Sequence, residues 1–358
     1  MLINAHGRPR AAFAAPAAAV ATLLLAACSG PSGPAAAAHP RPPASPGGGP
    51  PPTAGAPGGT RQLVLGETLS SDLVLIDPHT GTRTATIAAG VASGEEISVT
   101  ADGSKIFYEQ QGGCTGQIYS VPAAGGRPTL VTPGSLPAVS PDGSQLAYFR
   151  EPRGSVQCAQ SYPPSQYLLV VRDLRSGAET TYPAAPQLTQ TGLIFPIGHL
   201  SWSGDGRRLL VSLDAPEDNS GWALDVIDPL TARYYRTGAS GESVPVTGDP
   251  TGRTYYRQGV FMPDGELFVN RVCCSGLGPG AARTSTLMWE VTPAGAEIRQ
   301  VAIGFTDRDH TSLDVDRAGA QLLYLSGTDL YVSDGGQRPR LVTSGLLSAA
   351  FISTAQPR

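Results

Sequence analysis

The chain has 358 residues, 41% hydrophobic and 6% aromatic, and a formal net charge of −4. That balance, with Lys105 the only lysine among 25 basic residues, gives no electrostatic footprint for nucleic acid. The heavy use of Ala, Gly and Pro, with arginine in place of lysine, suggests a high-GC bacterial genome and is silent on mechanism.

Residues 1–27 read as a secretory leader. Arg8 and Arg10 precede a short, alanine-rich apolar run from Ala11 to Ala27. The run ends Leu25-Ala26-Ala27-Cys28, which resembles the bacterial lipobox. That resemblance implies a diacylglyceryl thioether on Cys28, fatty acylation of the palmitate kind and cleavage before the cysteine. An uncleaved anchor is the alternative, although the run is shorter than the ~20 residues a spanning helix needs. Residues 28–60 are the lipidated cysteine and a Pro/Gly/Ala/Ser tether that cannot bury enough apolar surface to fold. Fully extended in polyproline form, the tether would reach roughly 100 Å. The expected localisation is the extracytoplasmic face of the cell membrane, held there by lipid.

Residues 61–358 carry two interlocked repeats. The first is a strand, an Asp-Gly turn and an apolar strand. It occurs at Ile97–Tyr108 around Asp102-Gly103, at Ala138–Tyr148 around Asp142-Gly143, and at Leu200–Val211 around Asp205-Gly206. Degraded copies lie at Asp264-Gly265 and Asp316–Gly319. The second is a strand closed by Asp-Pro, Thr-Gly or Ala-Gly turn chemistry, at 72–81, 117–125, 167–177, 223–231, 287–295 and 329–335. Six copies against five balance if the ring closes on itself. Leu346–Ser353 would then be the missing inner strand, beside Leu63-Val-Leu and Leu73-Val-Leu-Ile. The predicted fold is all-β: a six-bladed β-propeller closed by N- and C-terminal strands sharing one blade, with no free sheet edge. An open two-sheet sandwich is the alternative. No amphipathic helix longer than two turns is apparent.

Four cysteines follow Cys28: Cys114, Cys158, Cys273 and Cys274. All four fall between the Asp-Gly strand and the next strand of a blade. Export favours disulfides. Four cysteines allow three connectivities, and similar places in adjacent blades suggest Cys114–Cys158, leaving a vicinal Cys273–Cys274. A metal site is the alternative, but no CxxC spacing and no nearby histidine support it.

Ser140-Pro-Asp142-Gly143-Ser, combined with the Asp-x-x-Thr-Gly-like strands, resembles the TolB-type, WD-like (PD40-type) propeller repeats over nearly all of residues 62–358. With the lipobox, the chain looks like the propeller lipoproteins of high-GC Gram-positive bacteria. The resemblance implies a six-bladed fold and a binding function, and it carries over no catalytic residue. TolB has an α/β domain before its propeller where this chain has only the tether. The turn aspartates read as structural, since such side chains cap their own turn.

The residues just upstream of each inner strand should ring one mouth of the central channel. They are Glu95-Glu96, Ser135-Leu136, Gly198-His199, Arg257-Gln258 and His310-Thr311-Ser312. Glu96, His199, Arg257, Gln258 and His310 are the candidate binding residues, suited to a peptide terminus or small polar ligand through charge-assisted hydrogen bonds. A water-filled channel mouth is the plainer alternative. Tyr234-Tyr235 and Tyr255-Tyr256 fit strand pairs better than a carbohydrate platform. The expected function is therefore a non-enzymatic binding or scaffold lipoprotein with an extracytoplasmic protein or peptide partner and no cofactor. The alternative is a lactonase-like hydrolase with a channel metal on Glu96, His199 and His310, a thin oxygen-rich set for a hard cation. No nucleophile elbow or hydrolase domain is present.

Overall fold

A computed structural model describes residues 60–91, 96–112, 115–150, 168–183, 197–213, 223–228, 233–236, 255–273, 285–292, 297–303, 310–334 and 338–355. The leader, Cys28 and most of the tether lie outside these residues, as do Cys114, Cys158 and Cys274. Among the described residues there is no helix, and 24 strands form six four-stranded antiparallel sheets.

Sheet 1 begins with β1 (Thr60–Thr68), β2 (Leu73–Ile76) and β3 (Arg83–Ala88). Sheet 2 is β4 (Ile97–Val99), β5 (Lys105–Gly112), β6 (Thr115–Pro122) and β7 (Thr129–Pro133). Sheet 3 is β8 (Ser135–Val139), β9 (Gln145–Arg150), β10 (Leu168–Asp173) and β11 (Glu179–Pro183). Sheet 4 is β12 (Ile197–Trp202), β13 (Leu209–Leu213), β14 (Ala223–Asp228) and β15 (Arg233–Arg236). Sheet 5 is β16 (Tyr255–Phe261), β17 (Leu267–Cys273), β18 (Ser285–Val291) and β19 (Glu297–Ile303). Sheet 6 is β20 (His310–Val315), β21 (Gln321–Ser326), β22 (Asp329–Asp334) and β23 (Arg340–Ser344). The last strand, β24 (Leu346–Ala355), pairs along the whole of β1 from Thr60↔Ala355 to Thr68↔Leu346 and so completes sheet 1.

The six innermost strands, β24, β4, β8, β12, β16 and β20, each touch the next, and β24 touches both β20 and β4. The fold is a β-propeller. Strand alternation supplies its cores, because successive side chains leave a strand on opposite faces. In β5, Ile106 and Tyr108 pack toward sheet 1 while Phe107 packs toward sheet 3. In β21, Leu322 and Tyr324 face sheet 5 and Leu323 and Leu325 face sheet 1. Each such buried side chain contributes about 1.5–3 kcal/mol.

The turns are built as their residues dictate. Asp102 Oδ1 accepts from the Ser104 N–H (3.0 Å) and from the Thr100 hydroxyl (2.6 Å). Asp142 does the same with Ser144 and Ser140, and Asp205 with Arg207 and Ser203. The hydroxyl of Thr100, followed by bonds from Ser104, holds the Asp102 carboxyl down at about 2. In the most degraded copy, Asp316 is not the turn aspartate. It stands where the others have Thr100, Ser140 and Ser203. Its Oδ1 accepts from the Gln321 N–H (2.6 Å), as Ser140 Oγ accepts from Gln145 and Ser203 Oγ from Arg208 (2.9 Å each). Tyr234-Tyr235 and Tyr255-Tyr256 are paired residues of β15 and β16. Cys273 differs from its expected place in a loop: it is the last residue of β17, opposite Ser285 of β18.

Candidate functional site

Registering the sheets on Thr100, Ser140, Ser203, Met262 and Asp316 places two rings of residues on the inner strands. Each of these five residues hydrogen-bonds its turn glycine, from Gly103 to Gly319, which justifies the register. Four positions earlier stand Glu96, Leu136, His199, Gln258 and Ser312; two positions earlier stand Ser98, Ala138, Ser201, Val260 and Asp314.

The second ring alternates polar and apolar, and the polar members fasten one sheet to the next. Ser98 Oγ accepts from the Val139 N–H (2.9 Å) and Ser201 Oγ from the Phe261 N–H (3.2 Å). Asp314 Oδ2 accepts from the Phe351 N–H (2.7 Å). These bonds join sheets 2 to 3, 4 to 5 and 6 to 1. Each satisfies an inner-strand N–H, a group that is costly to bury unpaired. Trp202 Nε1 donates to the Ala138 carbonyl (2.9 Å), joining sheet 4 to sheet 3.

Apart from Glu96, which precedes β4, the first ring sits at or beside bulges of the inner strands. Register shifts fall between Ser135 and Ala138, Ile197 and His199, Tyr256 and Gly259, and Thr311 and Asp314. A bulge re-aims side chains, and two bulge residues, Leu136 (φ +53°) and Ser312 (φ +51°), take the left-handed conformation. Leu136 is held there by the buried Glu109, whose Oε2 accepts from the Leu136 N–H (3.1 Å). Gly116 makes room for that carboxylate, since a Cβ on it would lie 2.6 Å from Glu109 Oε1.

Glu96, His199, Ser312 and Asp314 line one channel cavity of about 240 Å³. Glu96 Oε1 lies 2.7 Å from His199 Nδ1, and both side chains are about nine-tenths buried. Burial would lower the His199 pKa, but the charge and hydrogen bond of Glu96 outweigh it and hold the value above the ordinary imidazole range. Asp314 keeps partial contact with the channel, yet burial raises its carboxyl to about 6. The Phe351 and Val315 N–H groups and the His199 charge pull it the other way.

Of the residues expected at the channel mouth, the fold brings Glu96 and His199 into contact and sets Ser312 on the lining of the same cavity. Arg257 and Gln258 occupy the β16 bulge and His310 starts β20 opposite Ser326; their side chains lie outside the described residues. Asp314 was not among the sequence candidates. Its signal is its equivalence to Ser98 and Ser201, obscured because Asp316 resembles a turn aspartate. Among the described residues no three His, Cys, Asp or Glu side chains are grouped to hold a metal, and no helix is long and apolar enough to cross a membrane.

No family model and no curated protein matches the sequence. Solved structures do match in fold. TolB from Acinetobacter baumannii superposes with a TM-score of 0.53 at 13% identity, over 82% of this chain and 66% of that one, just under two thirds of its length. A TolB described as putative, from Agrobacterium tumefaciens, gives 0.53 at 13% identity over 84% of this chain and 100% of that one. A chain of a nidogen/laminin complex gives 0.52 at 12% identity, over 82% and 98%. These likenesses establish a TolB-like β-propeller fold.

Proposed function

We propose that this TolB-like propeller is a six-bladed, lipid-anchored extracytoplasmic binding module that holds a protein or peptide at its central channel. The observation that carries the reading is the convergence of Glu96, His199, Asp314 and Ser312 on one cavity inside the ring of inner strands. A cavity of about 240 Å³ admits a chain end or a single side chain rather than a folded domain. The polar groups orient such an occupant, and the rigid strands that carry them keep the geometry preorganised. The anchor reading is supported by Leu25-Ala26-Ala27-Cys28 and by the non-folding composition of residues 29–60. Two acyl chains on Cys28 suffice for stable anchoring. Its setting, on the sequence resemblance, is the membrane of a high-GC Gram-positive bacterium.

The test is photo-crosslinking in cells expressing the full chain. A crosslinking amino acid at Arg317, on the channel lining, should capture one defined partner species. The same group at Leu341, exposed on β23, should not. Equal capture from both positions would contradict channel binding. Cys28→Ser should abolish labelling by an alkyne fatty acid and release the protein from membranes; unchanged labelling would contradict the anchor.

A further inference from the structure

Two features of the channel cavity go beyond a polar lining. The first is Ser312, only 5% exposed, whose hydroxyl has no hydrogen-bond partner among the described residues. A buried hydroxyl left unpaired is costly, and an occupant that supplies a partner recovers that cost. The second is the charge. Glu96 is already paired with His199, Oε1 to Nδ1 at 2.7 Å. Among the described residues Asp314 accepts hydrogen bonds only from backbone N–H groups, those of Phe351 and Val315. The lining cation Arg317 is exposed and turns its guanidinium toward the Ala101 carbonyl (3.5 Å). Among the described residues the cavity therefore holds two carboxylates, Glu96 and Asp314, against one imidazole that Glu96 already pairs, beside an unpartnered hydroxyl.

We infer that the cavity binds a primary ammonium group, held by the Asp314 carboxylate and the Ser312 hydroxyl with Glu96 completing the acceptor set. The inference rests on the channel-binding reading and names the chemistry of the occupant. An ammonium has three donors, and Asp314, Ser312 and Glu96 are three acceptors. A hard metal ion would want six or more oxygens, which these three groups do not supply. An anion would meet two carboxylates. The ammonium could be the amino terminus of a peptide or belong to a small free amine, and the two sources are separable.

The experiment is calorimetric titration of the full chain at pH 7.5 with Ala-Ala-Ala, N-acetyl-Ala-Ala-Ala and methylammonium. Saturable binding of tri-alanine, at least tenfold tighter than its acetylated form, supports the inference with a peptide amino terminus as the source. Binding of methylammonium alone supports it with a free amine as the source. In either case Asp314→Asn should weaken binding at least tenfold and Ser312→Ala a few-fold. Equal binding of the free and acetylated peptides would overturn the ammonium assignment while leaving channel binding intact. Binding of none of the three would also overturn it, and crosslinking from position 317 then decides the broader reading separately. The comparison of free with acetylated peptide uses the unaltered protein, so it does not depend on any variant folding.

Discussion

The pH dependence of stability should change sharply when Asp314 is replaced by asparagine. A carboxyl whose folded value is raised binds its proton more tightly in the native state, so native stability falls as pH climbs from the unfolded value toward the folded one. For Asp314 the limits are the ordinary aspartate value of 3.8 and about 6. The full effect is about 3 kcal/mol, of which about 2 kcal/mol falls between pH 4.5 and 7.5. The asparagine side chain would retain an acceptor for one backbone N–H and carry no charge. Asp314→Asn should therefore change little at pH 4.5 and gain about 2 kcal/mol relative to wild type by pH 7.5. Among the described residues the titratable groups sharing the cavity with Asp314 are Glu96, His199 and, at its edge, Arg317. The His199 charge already counts against the Asp314 shift, and Arg317 is exposed. Urea denaturation of both proteins at the two pH values, followed by far-UV circular dichroism, measures the difference. A difference independent of pH would refute the claim that the channel holds a carboxylate at a cost.

The Glu96–His199 pair should be asymmetric at pH 7. His199→Gln leaves a buried carboxylate uncompensated and should cost about 3–5 kcal/mol. Glu96→Gln should cost less, about 2 kcal/mol, because His199 can lose its proton; the double variant should recover part of the loss, as read in a double-mutant cycle. With His199 raised by Glu96, the pair's contribution is present below 6.5 and is lost as pH rises through the folded value. Two turn glycines of the same conformation should also differ. At Gly103 (φ +67°) a Cβ would lie 1.7 Å from the Ser353 carbonyl oxygen of β24, whereas at Gly143 (φ +70°) the nearest atom is 3.7 Å away. Gly143→Ala should cost only the left-handed strain, about 1–2 kcal/mol. Gly103→Ala should cost about 1–3 kcal/mol more, because β24 must move; thermal unfolding of the two variants tests the ranking. Ser98→Ala and Ser201→Ala should each cost about 1 kcal/mol through the unpaired N–H groups of Val139 and Phe261, measured by chemical denaturation.

The architecture was legible because each repeat encodes its own turn. Asp102, Asp142 and Asp205 announce the hairpins through side chains that cap their own backbones, and Leu346–Ser353 announced the strand that closes the ring. Glu96 and His199 were legible as residues preceding inner strands, although 103 positions apart in sequence. Asp314 was not, because a carboxylate two residues before Asp316 reads as turn chemistry until Gly319 fixes the register. Nor was the role of Glu109, which reaches Leu136 across 27 residues and depends on Gly116 having no side chain. Both are long-range facts: the first needs the repeats aligned in space, the second a gap no local pattern reports.

The most direct test of the channel as a binding site for a cationic chain end is the proton balance of tri-alanine binding near pH 6. It is obtained by calorimetry of the full chain in two buffers of different ionisation enthalpy. A cation beside Asp314 favours its charged form and disfavours the charged form of His199, so binding should release more protons from the wild type than from Asp314→Asn, where only His199 remains to respond. Proton uptake, or the same exchange in both proteins, would contradict the account.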